Sequence, residues 1–220
     1  MDRQFQFDPF QAQRERMVRT QLENRGIHDA RVLHAMREVP RHQFVPETLW
    51  ASAYEDYPLP IGEGQTISQP YIVAIMLQHL SLQTSDRALE VGTGCGYATA
   101  LLSRLGREVY SIERYPSLAQ AAGSKLRALG YSNAKVSVGD GSRGWAEYAP
   151  FDAILVSAAA NDVPLTLFEQ LAERGRMVVP VGPTACQRLE LVRKIDGHPS
   201  VTELEGCRFV PLIEESPGAE

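Results

Sequence analysis

The run Ala88-Leu89-Glu90-Val91-Gly92-Thr93-Gly94-Cys95-Gly96-Tyr97 constrains this chain more than any other stretch, because a short apolar segment breaks into three alternating glycines and then into a helical pattern. It predicts a strand, a tight turn and a helix from Tyr97 to Leu105. Glycines in the turn let the backbone take positive φ and let a ligand approach main-chain N–H groups without a Cβ in the way. The helix directs its positive N-terminal end at whatever the turn holds. A dinucleotide fingerprint, G-x-G-x-x-G, needs its third glycine at the sixth position. Here that position is Tyr97 and the third glycine comes one residue early, which argues against NAD.

The chain has 220 residues, within the range of one α/β domain with an appendage. With 22% charged and 44% apolar residues it has enough apolar surface to build a core. A net charge of −5 without a long Lys or Arg run argues against nucleic acid. No apolar stretch is long enough for a membrane span, and Met1 to Phe10 lacks the apolar core of a secretory signal, so a cytoplasmic protein without membrane contact is expected. Cys95, Cys186 and Cys207 are widely spaced, with no C-x-x-C pair, and predict reduced thiols, no disulfide framework and no metal site.

Residues 1–57 predict a helical N-terminal segment, 58–213 the core and 214–220 a flexible tail. Sparse apolar residues from Gln11 to Arg25 suit an exposed helix stopped at Gly26, and Asp29 suits the N-cap of the next helix. Residues 58–70 are dense in Gly and Pro and predict a loop of fixed shape, from which Ser68 or Thr66 caps a helix from Pro70 to Leu80. The alternative is that the loop presents these hydroxyls to a ligand.

Glu108 to Glu113 predicts a second strand ending in an acid. Glu113 lies about 20 residues beyond the first glycine, the offset at which βαβ units hold ribose hydroxyls. Ala134 to Val138 predicts a third strand, and Asp140, between Gly139 and Gly141, would face the crevice there. Each acid has an ordinary alternative, as a surface or turn residue. The apolar run Phe151 to Ser157 predicts a central parallel strand. A helix from Pro164 to Glu173, a strand from Met177 to Val181 and two closing strands, Leu189 to Lys194 and Arg208 to Leu212, complete the pattern, with a turn at Asp196-Gly197. The expected fold is α/β: a doubly wound, mostly parallel, seven-stranded Rossmann-like sheet with an N-terminal helical appendage.

The glycine loop with its preceding Glu90 resembles the first motif of S-adenosylmethionine-dependent methyltransferases. More specifically, Leu59-Pro60-Ile61-Gly62 with Gly64-Gln65-Thr66-Ile67-Ser68-Gln69-Pro70 resembles the signature of the protein-L-isoaspartate O-methyltransferase family. Pro40-Arg41-His42, Gly139-Asp140-Gly141, Pro180-Val181-Gly182 and Arg208-Phe209-Val210-Pro211-Leu212 resemble its remaining blocks in order. Cys95 departs from a usual Ser, and Ser157 to Asp162 replaces a commonly proline-bearing stretch.

The resemblance implies methyl transfer from S-adenosyl-L-methionine to the α-carboxylate of L-isoaspartyl residues in damaged proteins and peptides, without a metal, by a likeness-inferred monomer. It implies Ser68 as the catalytic residue, and Glu90, Gly92, Thr93, Gly94, Gly96, Glu113, Asp140 and Gly141 as cofactor-binding residues. Thr66, Ile67, Gln69 and Gln187 are expected near substrate or cofactor. The alternative is a methyltransferase of the same fold acting on a dedicated peptide or a small-molecule carboxylate. A carboxylate with a pKa near ~4 is already ionised at neutral pH, so attack on a sulfonium methyl asks for alignment and not for a base.

Overall fold

The computed structural model describes residues 8–213. An N-terminal segment carries α1 (Gln11–Met17) and α2 (Ala30–Glu38), and a hairpin of β1 (Leu59–Gly62) and β2 (Gln65–Ile67) leads into α3 (Pro70–Leu80). There follow β3 (Arg87–Val91), α4 (Tyr97–Leu105), β4 (Glu108–Glu113), α5 (Pro116–Ala128), β5 (Ala134–Val138) and β6 (Phe151–Val156). The chain closes with α6 (Leu165–Glu169), β7 (Leu171–Val181), β8 (Gln187–Ile195) and β9 (His198–Cys207).

Seven strands form one sheet in the order β5-β4-β3-β6-β7-β8-β9. The first five strands in that order run parallel, and β8 and β9 join antiparallel. The order reverses between β3 and β6, and the crevice beyond the C-terminal ends of such strands is where open α/β sheets bind ligands.

The period-2 alternation of the strands separates two cores. Ala88, Val109, Ala153, Leu155 and Val178 pack with α2, α3, α4 and the N-terminal Met17, Val18 and Leu22. Leu89, Val91, Tyr110, Ile112, Ile154, Val156, Met177 and Val179 form the other layer, covered by Leu167 and Phe168 of α6 and by Trp145 and Tyr148. The N-terminal segment is therefore packed into the first core and not merely laid over it.

Several expected elements differ. The helix expected from Gln11 to Arg25 is α-helical only to Met17. It continues as a π-wound turn (Val18–Leu22) and a 3-10 turn (Glu23–Arg25), with Val18 and Leu22 wholly buried and Gly26 at φ 90° as the stop. The expected loop at 58–70 contains the β1–β2 hairpin, too short to show a strand period. Neither Ser68 nor Thr66 caps α3, because Gln69 occupies the N-cap position without a side-chain cap and Pro70 removes one unsatisfied N–H. The helix expected to Glu173 ends at Glu169, since Leu171 already pairs with Phe151.

The second closing strand is β9 and not Arg208 to Leu212. The turn at Asp196-Gly197, with φ of 51° and 76°, returns the chain directly along β8. β9 is an edge strand exposed along most of its length, so burial imposes no apolar alternation on it. Asp29 does cap α2, its carboxylate accepting from Arg31 N at 2.8 Å and Val32 N at 3.2 Å. The tail expected at 214–220 lies outside the described residues.

Candidate functional site

A cleft open to solvent lies at the point where the strand order reverses. Its floor is the glycine loop after β3 and the ends of β4 and β6. Gly92 N donates to Ile112 O at 2.8 Å and Ser157 N to Val91 O at 2.8 Å, so the three strand ends are tied together.

Gly92 (φ 91°) and Gly94 (φ 53°) both line the cleft in left-handed conformations. A Cβ on Gly94 would stand 3.1 Å from Ile61 Cδ1, because β1 lies against the loop. Gly96 (φ 89°) does not line the cleft: a Cβ there would meet Ala122 and Leu126 of α5, which makes it a helix-packing glycine at the start of α4.

Glu90 is fully buried behind the loop. Its Oε2 accepts from Thr99 Oγ1 at 2.5 Å and Ser111 Oγ at 2.7 Å, and Ser111 Oγ also lies 2.5 Å from Thr93 Oγ1. Oε1 has no partner among the described residues. Burial pushes the Glu90 carboxyl up to about 7; the two hydroxyls pull it down and the nearby Glu113 raises it. A buried carboxyl in a cleft with a free oxygen is fitted to receive a cationic or donor group.

Glu113 closes β4. Its Oε2 accepts from Gly94 N at 2.7 Å and its Oε1 from Tyr115 N at 3.0 Å, so the carboxylate grips the glycine loop while each oxygen keeps a lone pair. Gly141 lines the cleft, and a Cβ on it would come 2.5 Å from Val91 Cγ1. The Asp140 carboxylate is not on the cleft wall. Its Oδ1 accepts from Ser142 N at 2.9 Å and Ser142 Oγ at 2.7 Å, capping the 3-10 turn Gly141–Arg143.

Thr66, Ile67 and Ser68 form another wall, of which Gln69 is not a part. Ser68 is half-buried, and among the described residues nothing hydrogen-bonds its hydroxyl; its carbonyl accepts from Arg41 Nη2 at 2.8 Å. Gln187 is outside the cleft. Its side-chain amide accepts from Phe209 N at 2.6 Å and donates to Phe209 O at 3.2 Å, fixing the chain just before Val210, Pro211, Leu212 and Ile213, which form the remaining wall.

Sequence reasoning missed Ser157, although it follows a strand that the sequence does reveal and its place at the strand-order reversal was the available signal. It also missed residues 210–213 as an irregular wall, because Pro211 and the absence of an alternating pattern give no element to recognise. Among the described residues there is no group of three or more His, Cys, Asp or Glu side chains placed to hold a metal, and no helix is long and apolar enough to cross a membrane.

A family model described as protein-L-isoaspartate(D-aspartate) O-methyltransferase matches residues 12–217. The chain is 55% identical over 204 residues to protein-L-isoaspartate O-methyltransferase 1 of Syntrophobacter fumaroxidans, covering 93% of this chain and 95% of that one. It is 52% identical over 206 residues to the protein-L-isoaspartate O-methyltransferase of Methanoculleus marisnigri, covering 94% of each. Among solved structures, a Plasmodium falciparum protein described as a protein-L-isoaspartate O-methyltransferase, in complex with S-adenosyl-L-homocysteine, superposes with a TM-score of 0.80 at 27% identity. That match covers 92% of this chain and 99% of the other.

Proposed function

The chain belongs to the protein-L-isoaspartate(D-aspartate) O-methyltransferase family, and from that premise we propose how its cleft is used. The enzyme transfers a methyl group from S-adenosyl-L-methionine to the α-carboxylate of L-isoaspartyl residues in damaged proteins and peptides, beginning a repair that passes through a succinimide. S-adenosylmethionine supplies an electrophilic methyl on a sulfonium and leaves as S-adenosyl-L-homocysteine.

The residues present fit that group. Its amino-acid part carries an ammonium, and the buried Glu90 Oε1 without a partner meets the need of such a cation. Gly92, Thr93 and Gly94 wrap the amino-acid part in a turn that a Cβ at Gly94 would crowd against Ile61, a turn held in shape because their own N–H groups donate to Ile112 O and Glu113 Oε2. Glu113 has lone pairs for ribose hydroxyls, and Gly141 supplies the cleft wall on the adenine side, with Asp140 shaping that turn by capping it. Gly96 and Gln187 act at one remove, the first by seating α4 on α5 and the second by holding the wall at Phe209.

Ser68 aligns the nucleophile. Its hydroxyl donates to one oxygen of the isoaspartyl carboxylate and so directs the other at the methyl, with Thr66 and Ile67 shaping the approach. No proton has to leave a carboxylate that is already ionised, so the enzyme's work is placement, which can supply roughly 7 to 11 kcal/mol. Val73, Met76, Leu155 and Leu212 line the same cleft and exclude water that would compete for the anion. The enzyme is taken to act as a cytoplasmic monomer without a nucleic-acid partner, a reading supported on the last point by the net charge of −5.

The observation that carries this assignment is a hydroxyl on the cleft wall with no partner of its own among the described residues. Ser68→Ala is expected to leave S-adenosylhomocysteine affinity nearly intact and to lower single-turnover methylation of an isoaspartyl peptide ~10- to 1,000-fold. An unchanged rate would remove Ser68 from the mechanism.

A further inference from the structure

Arg41 is the largest of the side chains that are completely buried, with 0% exposure. Among the described residues no carboxylate pairs with it. A guanidinium taken out of water without a counter-ion is expensive, and burial works against its charge. Such a group persists where it holds something else in place.

Arg41 joins Ala53, Ser68 and Tyr97. Nε donates to Ala53 O at 2.7 Å, Nη2 donates to Ser68 O at 2.8 Å, and the guanidinium lies 4.9 Å over the Tyr97 ring. Ala53 belongs to the N-terminal segment, Ser68 to one wall of the cleft, and Tyr97 to the start of α4, directly after the glycine loop. One rigid planar fork therefore connects the Ser68 wall to the opposite, cofactor-side wall. The planar geometry matters, because a lysine ammonium is a compact charge with rotating donors and lacks the fixed fork that holds two carbonyls along set directions.

We infer that Arg41 is a positioning residue, whose guanidinium fixes the main chain at Ser68 from behind and so sets where the Ser68 hydroxyl stands relative to the glycine loop. This rests on the role assigned to Ser68 above. Arg41 does not line the cleft, so it touches neither substrate nor cofactor and acts on the reaction through the main chain that it holds at Ser68. The expected signature is a lower kcat with little change in cofactor affinity.

The test is a double-mutant cycle with the wild type, Ser68→Ala, Arg41→Lys and the double variant. It reads kcat and KM on an isoaspartyl peptide and Kd for S-adenosylhomocysteine. Arg41→Lys is expected to lower kcat about 10- to 100-fold, the scale of a small misplacement of a positioning group. In the Ser68→Ala background the same change is expected to cost nothing further, because the group it positions has gone. Arg41→Met, which keeps the stem but answers neither carbonyl, is expected to repeat the pattern.

An equal fold-loss from Arg41→Lys in both backgrounds overturns the inference while leaving Ser68 in its role. A Ser68→Ala protein with a normal rate overturns the Ser68 assignment and this inference with it. Loss of S-adenosylhomocysteine binding in both Arg41 variants assigns the residue to the fold alone and also overturns it.

Discussion

Glu90→Gln separates the energetic cost of the buried carboxylate from its use. The substitution keeps the shape of the side chain and leaves an oxygen to accept from Ser111 and Thr99, while removing the titrating group at the centre of that network. Burial holds the carboxyl at about 7, whereas its ordinary value is 4.5. Between those values the folded protein keeps a proton that the unfolded chain has released, so stability falls as pH rises through the window. The loss is absent below 4.5 and complete above about 7. A tenfold change in proton affinity is worth about 1.4 kcal/mol, so the whole window carries roughly 3 kcal/mol. Urea unfolding of the ligand-free proteins from about pH 5 to about pH 8 is expected to show the variant gaining on the wild type by most of that amount. With S-adenosylmethionine the sign reverses: the variant lacks the anion opposite the ammonium and binds more weakly, and wild-type affinity rises as pH passes 7. Parallel stability curves for the two proteins across the window would refute the burial argument.

Gly141→Ala forces a methyl against Val91 Cγ1, at 2.5 Å, and is expected to cost about 1–3 kcal/mol and to weaken S-adenosylhomocysteine binding, read from melts with and without ligand. Glu113→Ala removes the acceptor for Gly94 N and Tyr115 N, and calorimetry is expected to register a loss of roughly 1–3 kcal/mol in cofactor binding by a folded protein. Asp29→Ala removes the cap of α2, outside the cleft, and should lower stability by about 1 kcal/mol in denaturant while the turnover of folded enzyme stays the same.

The elements that fix the site were legible because their burial is written into the residues. β3, β4 and β6 are short apolar runs ending in a glycine, an acid and a serine, and the spacing of Gly92 and Glu113 follows from one βαβ unit. β9 was not legible, since an exposed edge strand with Pro199 near its start and Gly206 near its end has no face to bury. The short β1–β2 hairpin hid inside a Gly- and Pro-rich stretch for want of length. Within the site, the sequence named Ser68, Glu90 and Glu113 but not their partners. Arg41 reaches the Ser68 carbonyl from 27 positions earlier, and no local pattern encodes that approach. The glycines looked alike in sequence, yet Gly92 and Gly94 face the cleft and Gly96 faces α5, a difference set by helix packing.

The wall formed by residues 210–213 is stitched to the end of β6 by Ala159 N donating to Val210 O at 2.8 Å and Leu212 N donating to Ala159 O at 2.7 Å, and held upstream by Gln187. The glycine loop and the strands beneath it all precede this wall in the chain, so the groove keeps one side open until residues 210–213 have docked on Ala159, and retention of the cofactor depends on that docking.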